Sequence, residues 1–338
     1  MFGKASAALN IVPLSEAAQR AALAGKSVLV VGGTGGLGRA LAQRAASLGA
    51  AVTVAGRTFR DAGVRGIAFL PLDAASMKDC VKLGAEIDPV PDVGVARARR
   101  SCACRHPLAL FPHTAGRRPA RPAQVVIFTT GTAPEATRKE TADGLETDMA
   151  ISSLSRLATL RALLPRLRAS ARVFVWGMPG NGHSEPGHDT HLDDLNATKR
   201  KFVGGFGWQH MNTVAVNEAL VLHYARAPEA AGKVVVGCNP GLIAHSGGGL
   251  RDKVHGGGIF GGIAEGLLGL FFQSAQTYAD KMLAAMLAPE LSSGALLGPG
   301  ATPILPARIF ADDAAKASAV VADAAALLDQ ALAGKLAK

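Results

Sequence analysis

Three glycines in the stretch VVGGTGGLGRALAQ have the spacing of a phosphate-binding turn. Gly32 comes directly after an apolar run, and Gly36 and Gly38 open an amphipathic one. Glycine takes a positive φ without strain, and its missing side chain lets the backbone approach a pyrophosphate closely. The helix after such a turn presents unpaired N–H groups to the phosphates. The spacing therefore predicts a dinucleotide site, with a glycine turn that binds no ligand as the alternative.

The elements around this turn are predicted to be a strand, a helix and a second strand. An apolar run that begins at Val28 indicates a buried strand, residues 37–48 have the apolar period of a helix, and 51–55 indicate another strand. Arg57 follows the second strand, where a fold specific for NAD places an acidic residue. A charge-assisted hydrogen bond from Arg57 to a 2′-phosphate would contribute about 1.5–3 kcal/mol, roughly ten- to a hundredfold in affinity. We therefore expect NADP (NADPH) as the cofactor.

The composition is that of a globular protein. The chain has 338 residues, of which 49% are hydrophobic and 18% charged, which is enough for one large core. The alternation of strands and helices predicts an α/β fold, a Rossmann-type doubly wound parallel sheet in a single domain. Neither an apolar run of 18 or more residues nor a signal-peptide pattern occurs in the sequence. We therefore expect a cytoplasmic protein without a membrane span.

The net charge of +10 is concentrated in one segment, residues 89–123. Seven arginines stand there against one aspartate, so this segment carries +6. Its six prolines and its lack of a regular period indicate a basic insertion of low order. We expect no nucleic-acid partner, and an anion-binding arm is the alternative. Cys102, Cys104 and His106 have a C-x-C-x-H spacing that does not fit zinc, so we predict no metal site.

Several motifs, in the right order, resemble the short-chain dehydrogenase/reductase family between Lys26 and Leu305. The glycine turn resembles that family's T-G-x-x-x-G-x-G with Val31 in place of the threonine, and Asp73 ends the third predicted strand in FLPLDAAS. QVVIFTTG resembles the fourth strand and keeps one glycine of the family's N-N-A-G, and VVVGCNPGLI contains the Pro-Gly pair that follows the sixth strand. The resemblance implies cofactor contacts by Gly32, Thr34, Gly36, Leu37, Gly38, Arg57, Asp73, Gly131, Pro240 and Gly241.

The residues that transfer protons in that family are replaced in this chain. The resemblance implies chemistry at a carbonyl or alcohol carbon, for which the family uses a tyrosine in Y-x-x-x-K, a serine and an asparagine. The sequence holds only Tyr224 and Tyr278, and neither has a lysine four residues later. Alignment of QHMNTVAVNEAL with the family places His210 at the tyrosine and Val214 at the lysine.

His210 and Ser152 are therefore the catalytic candidates. Ser152 stands at the position of the family asparagine, while the family serine falls near Gly177 or Met178. An imidazole titrates near neutral pH and could donate a proton, and a histidine packed on a helix face without a catalytic duty is the alternative. Two hypotheses of function follow. One is an NADP-dependent oxidoreductase acting on a carbonyl or alcohol, and the other is a catalytically inactive NADP-binding sensor or scaffold.

Two further segments are predicted to border the substrate. Residues 180–201 gather side chains that also bind transition metals, which is the alternative for this segment. These side chains are His183, His188, His191, Asp193 and Asp194. The apolar run at 259–272 resembles the family's substrate lid and favours an apolar small-molecule substrate. Contact of this run with a membrane interface is the alternative.

The two ends of the chain are predicted to form separate segments. We expect an N-terminal extension at 1–24, the nucleotide-binding domain at 25–310 with its insertion at 89–123, and a C-terminal helix at 311–338. This alanine-rich helix begins near acidic residues and ends near lysines, as the helix dipole favours. It is expected to pack on the domain or on a partner subunit, so a homo-oligomer stays open as an alternative.

Overall fold

One sheet organises the computed structural model, which describes residues 10–87, 124–177, 190–203, 207–241, 243, 273–311 and 313–336. Its strands are β1 (Ser27–Val31), β2 (Ala51–Gly56), β3 (Ile67–Pro71), β4 (Gln124–Phe128), β5 (Arg172–Trp176), β6 (Val234–Cys238), β7 (Leu296–Leu297) and β8 (Pro303–Ile304). They lie in the order β3-β2-β1-β4-β5-β6-β7-β8. β8 runs antiparallel to β7, and the other described pairings are parallel.

Helices connect and cover these strands. They are α1 (Glu16–Leu23), α2 (Gly36–Ser47), α3 (Met77–Glu86), α4 (Thr147–Met149), α5 (Ser155–Leu163), α6 (Trp208–Tyr224), α7 (Ala275–Met286), α8 (Arg308–Ala311) and α9 (Ala314–Leu332). A π-helical turn, Ala150–Leu154, joins α4 to α5 without a break. The predicted α/β class with a Rossmann-type parallel sheet is confirmed.

The helices divide between the two faces of the sheet. On one face α2 packs against α7, and buried residues of both helices, such as Leu41 and Met282, share a core with the sheet. On the other face α3 packs against α5, and α9 packs along α6. Because both faces are covered, the central strands are apolar along their whole length, as in VLVV of β1 and VVIF of β4. Leu23 of α1 joins the first of these cores.

The sheet reverses its direction of growth between β1 and β4. β1 pairs with β2 on one side and with β4 on the other, so Val28 lies in register with both Val52 and Val125. The parallel strands end at the same edge, and ligands of open α/β sheets bind at this edge beside such a reversal. The glycine turn after β1 and the chain after β4 are therefore neighbours. The predicted insertion at 89–123 and the run at 259–272 lie outside the described residues.

The contact between α3 and α5 depends on Gly84. A methyl group on Gly84 would lie 2.5 Å from the carbonyl oxygen of Thr159 and 2.8 Å from Cβ of Ala162. We expect Gly84→Ala to lower the free energy of unfolding by about 1–3 kcal/mol through overpacking. The melting temperature, measured by circular dichroism, would fall by roughly 2–4 °C for each kcal/mol. Ala85→Ser, on the exposed side of the same helix, is the control, and a Gly84→Ala protein as stable as that control would contradict this packing.

Candidate active site

The glycine turn after β1 is pressed against the end of β4. Gly32 has φ +91°, in the left-handed region that favours glycine. A Cβ on Gly32 would lie 2.6 Å from the backbone nitrogen of Thr130, and one on Gly38 would overlap the hydroxyl of Thr129. Side chains at these two positions would push the two segments apart. The glycines are thus required by the packing of the protein itself as well as by any ligand.

The N-terminus of α2 presents backbone N–H groups that no side chain caps. Gly35 is the N-cap residue and supplies no side-chain hydrogen bond, and the first turn of α2 contains no acidic residue. Such an end attracts phosphate groups through its N–H groups and through the helix dipole. Leu37, half-buried in this turn, packs on the apolar core. The residues present therefore fit the pyrophosphate of a dinucleotide.

The ends of β2 and β3 carry one basic and one acidic candidate. Arg57 is exposed directly after β2. The last residue of that strand is Gly56, and a Cβ added there would lie 2.6 Å from Oγ1 of Thr34, so no larger residue fits. Asp73 is also exposed, and its Oδ1 accepts a hydrogen bond of 3.0 Å from the N–H of Ala75.

A second arginine near this end of the sheet is already neutralised. Arg39 Nη2 lies 2.6 Å from Oδ1 of Asp61, which is buried. The guanidinium of Arg39 donates the hydrogen bonds that hold the pKa of Asp61 below its usual range, and Gln43 adds another. No ion pair of Arg57 occurs among the described ranges of the chain. Arg57 is therefore the better placed of the two arginines for an anionic ligand.

The ends of β4 and β6 border the same edge. Gly131 is exposed and follows β4 by three residues. Asn239 Oδ1 accepts a hydrogen bond of 2.9 Å from the N–H of Gly241, which has φ +62°. A Cβ on Gly241 would lie 2.8 Å from Cγ of Pro299. Pro240 and Gly241 thus form a tight turn where the sixth strand leaves the sheet.

A buried carboxylate, Asp148, joins the two catalytic candidates. The hydroxyl of Ser152 donates to Oδ1 of Asp148 at 2.5 Å, and Nδ1 of His210 lies 2.7 Å from Oδ2. The side chain of Asp148 is 2% exposed and that of His210 is 14% exposed. An ionised carboxylate only accepts hydrogen bonds, so we expect Nδ1 of His210 to carry the hydrogen of this contact when Asp148 is ionised. The ring nitrogen Nε2 is then the one that can exchange a proton with a substrate.

The π-helical turn places Ser152 between Asp148 and the end of β4. The N–H of Thr132 donates to Oγ of Ser152 at 3.2 Å, and Nδ2 of Asn217 donates to the carbonyl oxygen of Ser152 at 2.9 Å. The hydroxyl of Ser152 would lie 3.7 Å from a Cβ on Gly131. Turns of this kind are frequent at functional sites because they redirect side chains. The hydrogen-bonded group of Asp148, Ser152 and His210 therefore lies directly behind the exposed Gly131.

Two residues of this group were missed by sequence reasoning. Asp148 lies four residues before Ser152, a spacing that puts both on one helix face, and this was the signal available. Asn217 lies seven residues after His210, and its Cβ is 3.2 Å from where a Cβ on Gly177 would be. Val214, at the family's lysine position, is a buried apolar residue of α6.

The polar side chains of residues 190–203 contact one another and the start of α6. The ring of His191 meets Trp208 edge-on, and the side chain of Asn212 bonds both the N–H and the carbonyl oxygen of His191. Asp193 pairs with Arg200 at 2.9 Å. Asp194 accepts from the N–H groups of residues 198, 199 and 200. The described parts of the chain contain no group of three or more residues arranged to hold a metal ion, and His183 and His188 lie outside them.

A curated relative identifies the family. An uncharacterized oxidoreductase of Saccharomyces cerevisiae is 32% identical over 278 residues, which cover 79% of this chain and 76% of the relative. No model of a known protein family matches the chain.

Solved structures have the same fold. An uncharacterized protein from Mycobacterium paratuberculosis superposes with a TM-score of 0.60 at 19% identity, covering 94% of this chain and 98% of its own. A short-chain dehydrogenase from Pseudomonas syringae has a TM-score of 0.52 at 16% identity, with 86% and 98% covered. The NADP complex of RhlG from Pseudomonas aeruginosa has a TM-score of 0.52 at 16% identity, with 83% and 96% covered.

The chain is therefore an oxidoreductase-like α/β protein by its fold and by its relative. It belongs to the short-chain dehydrogenase/reductase family, as the sequence motifs indicated. Within the described ranges, no helix combines the length and the apolar character needed to cross a membrane.

The hydrogen bond to Asp148 should fix the tautomer of His210. We expect neutral His210 to carry its hydrogen on Nδ1, and we expect Asp148→Ala to remove this preference because the acceptor is lost. The ring nitrogens can be observed by 15N NMR of histidine-labelled protein above neutral pH. Asp193→Ala, which removes an exposed carboxylate, is the control. The same tautomer in wild type and Asp148→Ala would show that Asp148 does not orient the ring.

Proposed function

We propose that the protein is an NADP-dependent oxidoreductase that interconverts the carbonyl and alcohol forms of an apolar small molecule in the cytoplasm, with His210 as its proton-exchanging residue. The observation that carries this proposal is the bond of His210 Nδ1 to a buried carboxylate beside the end of β4. A histidine that only fills a helix face needs no such partner. A histidine that must keep one proton on Nδ1 and exchange another at Nε2 needs an acceptor for the Nδ1 hydrogen.

The residues at the carboxyl edge of the sheet support the choice of cofactor. The uncapped start of α2 suits a pyrophosphate, and Arg57 suits a 2′-phosphate. Asp73 is exposed at the position where the family contacts the adenine, and Gly131, Pro240 and Gly241 border the same edge. The solved RhlG structure is an NADP complex of a protein with this fold. A nicotinamide cofactor bound here supplies or accepts the hydride.

His210 exchanges the proton with the substrate, and Asp148 stabilises and orients the His210 ring. In carbonyl reduction, Nε2 of protonated His210 donates to the substrate oxygen as negative charge develops there. Asp148 stabilises the imidazolium before this step and orients the neutral ring after it. Ser152 occupies the other oxygen of Asp148, which fixes the plane of the carboxylate. In alcohol oxidation the same nitrogen accepts the proton.

A non-catalytic sensor or scaffold is the second candidate. The observation that favours it is Val214, a buried apolar side chain where the family uses a lysine. No cation at that position holds the ribose or assists proton transfer. The two candidates differ in turnover, since both require NADPH binding.

Substitution of Arg57 tests the cofactor. We expect Arg57→Ala to weaken NADPH binding roughly ten- to a hundredfold and to leave NADH binding unchanged, because only NADPH carries the 2′-phosphate. Fluorescence titration of the purified protein with each nucleotide measures both affinities. Arg65→Ala, another exposed arginine before β3, is the matched control. Equal losses for NADPH and NADH would exclude a contact with the 2′-phosphate.

Substitution of His210 tests catalysis. We expect His210→Gln to lower substrate-dependent NADPH oxidation roughly 10²- to 10⁴-fold, as is usual for loss of a general acid, with NADPH affinity unchanged. The assay uses a panel of apolar aldehydes and ketones. His223→Gln, whose Nδ1 contacts Ser318 on α9, is the control. A wild-type protein that binds NADPH but turns over none of the panel would favour the sensor.

A further inference from the structure

Residues 191–200, the linking segment, are hydrogen-bonded to both helices that carry the proton-exchange candidates. The bonds to α6 come from Asn212, which lies two residues after His210 and is fully buried. Oδ1 of Asn212 accepts from the N–H of His191 at 2.8 Å, and Nδ2 donates to the carbonyl oxygen of His191 at 2.9 Å. Because one side chain makes both bonds, the start of the linking segment is fixed in position relative to α6.

A second asparagine, Asn196, attaches the linking segment to the chain before α4. Its Oδ1 accepts from the N–H of Glu146 at 2.7 Å, and its Nδ2 donates to the carbonyl oxygen of Gly144 at 3.1 Å. Glu146 is the N-cap residue of α4, and its carboxyl group accepts from the N–H of Asp148 at 3.0 Å. Asn196 therefore holds the residue that caps the helix of Asp148.

The backbone of the linking segment is fixed by its own turns. The N–H groups of Asp194 and Ala197 donate to the carbonyl oxygens of His191 and Asp194, which makes two successive turns. The buried carboxylate of Asp194 accepts from the N–H groups of residues 198–200. Ala197, directly after Asn196, has φ +51°, in the left-handed region that residues other than glycine rarely adopt. Such strain persists where the surrounding contacts determine the backbone, and it is frequent at functional sites.

These contacts close a circuit of hydrogen bonds that includes the contact between His210 and Asp148. From His210 the circuit follows α6 to Asn212 and enters the linking segment. It leaves that segment at Asn196 and reaches Asp148 through the cap of α4. The contact of His210 Nδ1 with Asp148 Oδ2, at 2.7 Å, closes it. The two candidates are thus connected through the linking segment as well as directly.

Asp148 depends on this support because it is the second residue of α4. The N–H groups of a helix's first turn have no partner within the helix, so this end relies on its cap. A direct bond between the two helices, from the hydroxyl of Ser153 to the carbonyl oxygen of Thr213, lies five residues after Asp148. The start of α4 is therefore held by the contacts of Glu146 and Asn196.

We propose that Asn196 and Asn212 are positioning residues, which act through the linking segment to hold Asp148 against His210. Without either asparagine, the start of α4 is no longer tied to α6, and the contact between Asp148 and His210 lengthens. His210 then loses the orientation that directs Nε2 to the substrate. This inference rests on the proposed function, since it assigns the linking segment to the same proton-exchanging group.

The circuit can be opened at either end without altering His210 or Asp148. Asn196→Ala removes both side-chain bonds to the chain before α4, and Asn212→Ala removes both bonds to His191. Ser293→Ala is the matched control, because the hydroxyl of Ser293 also accepts from a backbone N–H, that of Val235 in β6. Thermal unfolding establishes that each variant is folded. Asn196→Ala serves alone if the variant at the fully buried Asn212 does not fold.

The decisive measurement is the tautomer of His210, by 15N NMR of the cofactor-free, histidine-labelled protein above neutral pH. We expect the hydrogen on Nδ1 in wild type and in Ser293→Ala. In each asparagine variant we expect roughly half of the rings or more to carry it on Nε2, because the acceptor has moved away. The double variant should differ little from either single one, since the first substitution already opens the circuit. Where turnover is measurable, kcat should fall roughly tenfold, with the KM for NADPH unchanged.

Four results would overturn this role of the linking segment. Folded asparagine variants with the wild-type tautomer would show that the segment does not position the pair, and a change in only one of two folded variants would show that no circuit connects them. The same change in Ser293→Ala would indicate a general loss of stability. A wild-type ring with its hydrogen on Nε2 would remove the contact itself. None of these results depends on turnover, so a failure of the oxidoreductase proposal, seen as NADPH binding without activity, is distinguishable from a failure of this one.

Discussion

The close approach of the turn after β1 to the end of β4 is the constraint on which the rest of the site depends. Gly32 and Gly38 allow it, because a side chain at either position would overlap the backbone of Thr130 or the hydroxyl of Thr129. The contact brings the uncapped start of α2 next to the chain that leads to Gly131. The helix start that fits a phosphate and the group of Asp148, Ser152 and His210 are thus joined through one tight contact between the two segments.

The charged residue beside the proton-exchanging candidate differs from that of the family. The family pairs a tyrosine with a lysine, and this chain pairs a histidine with a buried aspartate. This replacement reverses the sign of the charge beside the candidate. A lysine brings its own positive charge, whereas a buried aspartate brings a negative charge that its surroundings must balance.

The sequence predicted the frame better than the site. The βαβ unit from Val28 to Ala55 could be predicted because strand and helix periods are local and because the closely spaced glycines stand between a strand and a helix. His210 and Ser152 were selected as catalytic candidates through alignment with the family. Asp148 and Asn217 were not, because no motif includes them and only the folded chain shows that both are buried beside Ser152. Burial is a property of the folded chain, and an aspartate or an asparagine on an amphipathic helix is ordinarily exposed.

The π-helical turn at Ala150–Leu154 determines which way the helix presents its polar residues. Eight residues of regular α-helix separate two positions by about 800°, so the second stands about 80° away from the first around the axis. A π-helical turn contains more residues per turn than an α-helix, so it removes much of this offset. The residues of α5 are thereby turned relative to Asp148 by a different angle from the one that a regular helix would give. A helix of the same composition without that turn would hold the same residues and direct them to different neighbours. The arrangement of this site therefore depends on the rotation of the residues around the helix axis as much as on their identity.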